Sequence, residues 1–141
     1  MRLSVFIARQ SSPQLIIDFK KIYSNFLPNE SLTEQAIKQS LLDSSAPIFV
    51  TMFNERHIGA VKVTFDARKA TLSQLTIREV TRRRGIGKNL LKQIETHLAA
   101  EGINEIQYNL QEVAQNELAA TQLFLTDSGY YIENTSAHKK I

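Results

Sequence analysis

The sequence predicts a domain of the α/β class, in which strands and helices alternate along one chain. In some stretches apolar residues recur at every second position, and in others they recur with helical spacing. Between residues 70 and 98, a strand-like run, a glycine-containing turn and an amphipathic helix follow one another directly. The chain has 141 residues, of which 43% are apolar, and this suits one domain over 1–141 with a sizeable core.

The first elements are a short strand and two helices. Leu3, Val5 and Ile7 alternate with less apolar residues, which is typical of a strand. A helix is predicted to begin at Pro13, a residue that the first helical turn tolerates. Its apolar face consists of Leu15, Ile16, Phe19, Ile22, Tyr23 and Phe26. Ser31, with Glu34 three residues later, matches a capping box and predicts a second helix that ends near Leu42.

Three strands are predicted in the middle of the chain. Residues 48–53 and 58–65 form a hairpin around the polar stretch 54–57, and a polar link at 66–69 leads to a strand at 70–80. In this third strand the apolar positions change phase, from Leu72 to Leu75 and Ile77. Such a phase change indicates a β-bulge, although the strand could instead begin later, at position 74.

The last third of the chain continues the alternation. A helix is predicted at 87–101 with Gly102 as its stop signal, followed by a strand near 106–110. A further helix is expected at about 116–127 and a final strand at 130–132. Residues 134–141 are polar and terminal, so we expect them to fray.

The turn at 79–88 has the features of an anion site. The start of a helix offers unpaired backbone N–H groups and the positive end of the helix dipole. Gly85 and Gly87 can adopt a positive φ and let a phosphate approach the backbone. Positive charge is added by Arg82, Arg83, Arg84 and Lys88. We therefore predict a pyrophosphate cradle, while an ordinary turn with a solvated basic rim remains the alternative.

Residues 82–87, Arg-Arg-Arg-Gly-Ile-Gly, resemble the Arg/Gln-x-x-Gly-x-Gly/Ala signature of the GNAT superfamily of N-acetyltransferases. In that superfamily the signature holds the pyrophosphate of coenzyme A. The dinucleotide and nucleoside-triphosphate motifs do not fit this turn. The resemblance implies the GNAT acyl-CoA N-acyltransferase fold, with a mixed sheet of about six or seven strands and about four flanking helices. It also implies a bulged fourth strand that is splayed from the fifth.

The resemblance leaves the catalytic assignment open. A tyrosine four residues before a Gly-aromatic pair often serves as the acid in the superfamily, but here the pair is Gly129-Tyr130 and the residue is Leu125. Tyr130 and Tyr131, at the start of a strand, are expected to pack in the core or at its rim rather than to act as acids. Glu79 and Glu112 are available carboxylates for a base, and each could equally be a solvated side chain. We assign no catalytic residue.

We also predict no metal site. The histidines, His57, His97 and His138, have no metal-spaced partners, so surface or boundary roles are expected for them. The chain has no cysteine, which excludes a disulfide, a thiolate metal site and a cysteine nucleophile.

A closer resemblance involves three runs: Phe-Asn-Glu-Arg at 53–56, Ala-Val-x-Val-Thr at 60–64, and Arg-Glu-Val-Thr-Arg-Arg-Arg-Gly-x-Gly at 78–87. Together they are similar to the PanZ/PanM family, whose members are GNAT-like maturation factors of aspartate 1-decarboxylase. The resemblance implies a regulator with bound coenzyme A or acetyl-CoA, which docks on the zymogen and promotes its autocleavage to the pyruvoyl form. It also implies restraint of the mature tetramer, and hence feedback on pantothenate and coenzyme A biosynthesis.

The family resemblance implies specific site residues. The pantetheine arm would lie along Leu75, Thr76 and Ile77. The pyrophosphate would be held by Thr81, Arg82, Arg83, Arg84, Gly85, Ile86, Gly87 and Lys88. Contacts with the decarboxylase are expected from Asn54, Glu55, Arg56, Arg78 and Arg82. Met52 stands where the family pattern suggests an arginine, which affects the partner contacts more than cofactor binding.

Charge and composition limit the other classes of function. The net charge is only +3, and five basic residues fall between Arg78 and Lys88, so the charge suits a small polyanion better than a nucleic-acid duplex. We expect no nucleic-acid or membrane partner, and a soluble cytoplasmic protein that is monomeric when alone. The alternative function is an active N-acetyltransferase for a small amine or a protein amino group.

Overall fold

The computed structural model describes residues 3–24, 26–78 and 85–141, which form a seven-stranded sheet with helices on both faces. The strands are β1 (Ser4–Ile7), β2 (Ile48–Phe53), β3 (Arg56–Asp66), β4 (Lys69–Ile77), β5 (Glu105–Asn109), β6 (Tyr131–Glu133) and β7 (Ser136–Lys140). The helices are α1 (Pro13–Tyr23), α2 (Glu34–Leu42), α3 (Ile86–Ala100) and α4 (Leu118–Asp127).

The sheet is mixed. Its strand order is β1-β2-β3-β4-β5-β7-β6. The β4–β5 pair is parallel, and the other neighbouring pairs are antiparallel. A parallel pair needs a crossover, which α3 supplies between β4 and β5. The predicted α/β class, with a mixed sheet and four helices, is confirmed.

Two apolar cores lie on opposite faces of the sheet. Because side chains alternate along a strand, Phe49 and Val61 face one core while Val50 and Ala60 face the other. The first core includes Leu90, Leu91, Ile94 and Leu98 of α3 and Leu125 of α4. The second includes Leu15, Ile16, Phe19, Ile22 and Tyr23 of α1, with Ile37 and Leu41 of α2.

Two local boundaries differ from the sequence prediction. Helix α2 is capped by Thr33, whose hydroxyl accepts from the Ala36 N–H at 3.2 Å, whereas Ser31 lies in the preceding 3-10 turn. The β2–β3 turn is shorter than expected, because Asn54 and Glu55 both have positive φ, at 50° and 64°. This conformation is typical of a two-residue hairpin turn, so β3 begins at Arg56.

The C-terminal stretch is part of the sheet. We expected residues 134–141 to fray, but Ser136–Lys140 form β7 between β5 and β6. The polar sequence of this strand gives little strand signal. One face of the strand is partly open to solvent, and on the other face Ala137 is fully buried. Over the described ranges 3–24, 26–78 and 85–141, the helices are too short or too polar to span a bilayer.

Candidate functional site

The predicted β-bulge in β4 is confirmed. Between the pairs Ala60–Thr76 and Lys62–Ser73, β3 advances two residues while β4 advances three. The extra residue is accommodated at Gln74, whose φ is +55°. The bulge therefore lies between Leu72 and Leu75, where the apolar pattern changes phase, and the alternative of a strand that begins at position 74 is wrong.

Strands β4 and β5 separate at this bulge. Their parallel register runs from Lys69–Glu105 to Leu72–Tyr108, and after that point the register partners of Ser73, Thr76 and Ile77 lie on β3. Leu75, Thr76 and Ile77 lie beyond the separation and are half-buried. The structure thus opens a slot next to the three residues that the resemblance assigns to the pantetheine arm.

Side chains from two other elements hold the backbone of Gln74. The Tyr23 hydroxyl of α1 donates to the Gln74 carbonyl at 2.7 Å. The Gln74 N–H donates to Glu112 Oε1, also at 2.7 Å, and Glu112 ends the 3-10 turn that follows β5. We call this set the Tyr23–Gln74–Glu112 clamp. It joins α1, the bulge and the end of β5 at one point.

Burial raises the pKa values of three groups around the slot. Burial raises the pKa of the Glu112 carboxyl, while the Gln74 N–H and the charge of Lys62 act in the opposite direction. Burial, together with Tyr108 and Glu112, raises the pKa of the Tyr23 phenol. The pKa of Tyr108 is raised in the same way, chiefly by burial and then by Glu112. Both phenols therefore stay protonated at neutral pH, and Tyr23 remains a donor.

The start of α3 is open. Gly85 precedes the helix with φ +73°, and within the described part of the chain no side chain caps this end. A Cβ built at Gly85 would have no described atom within 4 Å beyond its chain neighbours. The first-turn N–H groups and the positive end of the helix dipole are groups that suit a phosphate. Lys88 is exposed on the same turn.

Gly87 does not have the positive φ that the sequence suggested for it. It lies inside α3 and is not among the glycines with positive φ. A Cβ at Gly87 would come within 3.0 Å of the Phe124 ring of α4. The missing side chain therefore allows α3 and α4 to pack closely, and of the two predicted cradle glycines Gly85 is the one with the special backbone conformation. Ile86, between them, is buried in the core.

Part of the predicted cradle falls outside the described residues. Thr81, Arg82, Arg83 and Arg84 lie there, as does the candidate base Glu79. Close to the start of α3, Asn89 Oδ1 is buried and has no hydrogen-bond partner among the described residues. An acceptor of this kind suits a polar ligand group or a water at the helix start.

The residues predicted to contact a partner lie at the hairpin tip and after β4. Asn54 and Glu55 are exposed in the turn. The Arg78 N–H donates to the Ile58 carbonyl at 2.7 Å, which extends the β3–β4 pairing by one residue. Arg56 is engaged internally, because its Nε and Nη2 donate to Asp18 Oδ1 at 2.9 and 2.6 Å.

Asp18 is the centre of a buried polar cluster that sequence reasoning missed. Its carboxylate is fully buried and accepts from Gln14 Nε2 on Oδ1, and from the backbone N–H and Nδ1 of His57 on Oδ2. Burial alone would raise the Asp18 pKa, but the bonds from Arg56, His57 and Gln14 hold that pKa well below its usual range. One signal could have revealed it, since Asp18 interrupts the apolar face of α1.

The prediction for His57 is wrong. It was expected at the surface or a boundary, but its ring is buried against Asp18. His97 is exposed and contacts the Phe49 ring edge-on, and His138 stacks on Tyr131. Within the described ranges no group of three His, Cys, Asp or Glu residues could hold a metal ion.

The two positions considered for a catalytic acid, Leu125 and Tyr130, are both buried. Leu125, which stands where the superfamily often has its acid, is fully buried in the core. Tyr130 is also buried, as predicted, and its hydroxyl donates to Glu95 Oε2 at 2.9 Å. Lys139 Nζ donates to Glu95 Oε1 at 2.8 Å, so Glu95 joins α3 to the last strands.

Comparison with known proteins places this geometry in a family. A model described as an acetyltransferase (GNAT) domain, PanZ, matches residues 2–139. The PanD regulatory factor of Escherichia coli (strain K12) is 36% identical over 94 residues, which are 67% of either chain. The PanD regulatory factor of Salmonella typhimurium is 34% identical over 94 residues, again 67% of either chain.

Solved structures show the same fold. The solution NMR structure of YhhK from E. coli bound to coenzyme A is 27% identical, has a TM-score of 0.79 and matches over 100% of both chains. The PaiA N-acetyltransferase of Thermoplasma acidophilum, crystallised with coenzyme A, is 19% identical with a TM-score of 0.73. That match covers 98% of this chain and 99% of the other, and at this identity it supports the fold alone.

Proposed function

This chain belongs to the PanZ family of GNAT acetyltransferase domains, and on that premise we propose that it regulates aspartate 1-decarboxylase in response to coenzyme A or acetyl-CoA. The names of its bacterial relatives and the coenzyme A-bound YhhK structure support the proposal. The structural observation that carries it is the separation of β4 from β5 at Gln74, in the same fold as the open start of α3.

The residues at these two places fit the cofactor. Among the described residues no side chain caps the first turn of α3 and no atom crowds a Cβ at Gly85, which suits a pyrophosphate, with Lys88 as a positive neighbour. Arg82, Arg83 and Arg84 would add charge by their place in the sequence. The register of β4 with β5 ends at Leu72–Tyr108, so residues 75–77 lie where the two strands diverge, the place that suits a pantetheine arm. Bound coenzyme A would supply negative charge and a thiol or thioester at the slot.

Regulation follows from linkage between the two binding events. The basic side chains at 78–88 repel one another when no anion is present. Binding of the cofactor's phosphates would lower the positive charge of this stretch. If the decarboxylase binds the cofactor-bound form more tightly, then cofactor and partner stabilise each other's binding. Docking would promote autocleavage of the zymogen to the pyruvoyl form and restrain the mature tetramer, which gives feedback on pantothenate and coenzyme A synthesis.

A regulatory role agrees with the side chains at the catalytic positions. Leu125 carries no proton to donate, and the Tyr130 hydroxyl is bonded to Glu95. Acetyl-CoA turnover with a panel of amines separates this role from the alternative N-acetyltransferase. We expect turnover no faster than spontaneous hydrolysis, and we expect the chain to be monomeric when alone, which light scattering can check.

A pull-down of decarboxylase zymogen tests the proposal. Recovery should be high with coenzyme A present and low after the cofactor is removed. Lys88→Glu should weaken coenzyme A binding about tenfold, because the new carboxylate would lie beside the phosphates. Lys92→Glu is the matched control, since this exposed lysine is one turn further along α3 and the net charge changes equally. Equal zymogen recovery with and without cofactor would contradict the proposed regulation.

A further inference from the structure

We propose that Tyr23 and Glu112 are positioning residues for coenzyme A, because together they fix Gln74 in the left-handed backbone conformation that separates β4 from β5. The inference rests on the proposed function and adds two residues that position the binding site. Neither lies in the stretches 75–77 and 81–88 that the sequence assigns to the cofactor. Both act through Gln74, without contact to the ligand being required.

The conformation of Gln74 needs external support. The φ of +55° places Gln74 in the left-handed backbone region, which is unfavourable for residues that have a Cβ. Such conformations persist where surrounding contacts hold them. Here both backbone polar groups of the residue are held from outside the sheet. Tyr23 binds the carbonyl from α1, and Glu112 binds the N–H from the turn after β5, each at 2.7 Å.

The geometry of the clamp explains the slot. Up to Leu72, β4 pairs with β5, and an undistorted β4 could continue that ladder past Tyr108. The Gln74 N–H donates to the Glu112 carboxylate, in place of a backbone carbonyl of β5. The bulge also changes the phase of the strand, so that Leu75 and Ile77 pack against the α3 core. Strand β4 therefore leaves the register with β5 after Leu72, and residues 75–77 follow the point where the two strands diverge.

The chemistry of the two side chains suits this task. Tyr23 is 1% exposed, and burial raises its pKa, so the hydroxyl stays a donor at neutral pH and has a fixed direction. Glu112 presents an acceptor to an N–H that would otherwise be unpaired within the sheet. Loss of either bond should allow Gln74 to relax towards extended backbone.

Calorimetric titration with coenzyme A, well below the unfolding temperature, tests the clamp. Tyr23→Phe and Glu112→Ala should each weaken affinity about threefold to tenfold, as expected for one lost hydrogen bond. Glu112→Gln retains an acceptor oxygen and should recover most of the affinity lost in Glu112→Ala. The matched control is Tyr130→Phe, which removes the hydroxyl of another buried tyrosine, bonded to Glu95. It should lower the unfolding temperature and leave affinity unchanged.

A rescue experiment separates positioning from general stability. In the Tyr23→Phe/Glu112→Ala background, Gln74→Gly should restore part of the lost affinity, since glycine adopts a positive φ without strain. If the clamp variants bind coenzyme A as tightly as the wild type while their unfolding temperatures fall, the clamp is purely structural and the inference is wrong. If the wild-type chain itself fails to bind coenzyme A, the proposed function and the clamp are both contradicted.

Discussion

Two carboxylates in this domain make the same kind of contact with opposite consequences. Asp18 accepts the N–H of His57 at the start of the β2–β3 hairpin, and Glu112 accepts the N–H of Gln74 at the β4 bulge. Asp18 is fully buried and also receives Arg56, Gln14 and the His57 ring. Among the described residues the structure records one hydrogen bond for Glu112, and this residue is partly open to solvent.

The pKa values follow the difference in bonding. Many donors overcome the cost of burial at Asp18 and lower its pKa, whereas at Glu112 burial prevails and raises it. Asp18 therefore holds α1 to the hairpin and supports the fold, while Glu112 shapes one residue beside the slot. Because α1 carries both Asp18 and Tyr23, this helix contacts the predicted partner hairpin and the predicted cofactor strand.

The largest expected effect in this comparison is that of Asp18→Asn. The substitution would leave the buried His57 N–H facing an amide that can no longer accept from all of its present donors, while Arg56, which is partly exposed, would lose its charge partner. A buried donor left without an acceptor typically costs about 1–3 kcal/mol, so the free energy of unfolding should fall by about that amount. Denaturant unfolding at pH 7 measures it.

Glu34→Gln is the control for Asp18→Asn. Glu34 pairs with Lys38 one turn along α2, and both side chains are well exposed. Surface pairs of this kind contribute little, so this variant should unfold almost as the wild type does. A cost of Asp18→Asn below about 1 kcal/mol would show that the cluster does not hold the fold.

The pH dependence of stability should have opposite signs at the two carboxylates. The pKa of Asp18 is lowered on folding, so its contribution is present above the unfolded value of about 3.9 and is lost as the pH falls further. The pKa of Glu112 is raised, so its contribution is present below about 4.3 and is lost as the pH rises through the folded value.

Denaturant unfolding between pH 3 and pH 7 checks these signs. Asp18→Asn should be much less stable than the wild type at pH 7, and the gap should narrow below about pH 4. A gap that stays constant over this range would exclude a lowered pKa at Asp18.

The smallest effect is expected for Glu112→Gln. At pH 7 the raised pKa means that the ionised carboxylate is slightly disfavoured in the folded protein, and glutamine keeps an acceptor for the Gln74 N–H. The free energy of unfolding should change by less than about 0.5 kcal/mol, as is usual for a substitution at a partly exposed site. A loss comparable to that of Asp18→Asn would remove the distinction between the two carboxylates.

Periodicity in the sequence was enough to predict most of the fold. Strand β2 and the start of α1 lie where expected, and the phase change at Leu72–Leu75 located the bulge. These features can be recognised locally, because the spacing of apolar residues along a strand or a helix shows which face is buried. Strand β7 escaped prediction because it is polar: its half-buried Lys139 bonds Glu95, and one small side chain, Ala137, is fully buried.

The long-range side-chain contacts could not be predicted from the sequence. Tyr23 and Gln74 are 51 positions apart, and Glu112 is 38 positions from Gln74. Tyr23 fitted the apolar face of α1, and no pattern indicated that its hydroxyl binds a bulge in another element. Likewise, the pattern at 54–57 indicated an exposed turn, while tertiary packing buries His57 and engages Arg56 with Asp18. Such pairings depend on how the helices dock on the sheet.

The central claim is that coenzyme A binds between the separated strand β4 and the start of α3. Titration of the ¹⁵N-labelled protein with coenzyme A, followed by two-dimensional NMR, tests it most directly. The account predicts that the largest amide shifts fall at Leu75–Ile77 and Gly85–Lys88. Shifts that are absent, or that cluster away from both stretches, for example at the α2 end near Leu42, would contradict it.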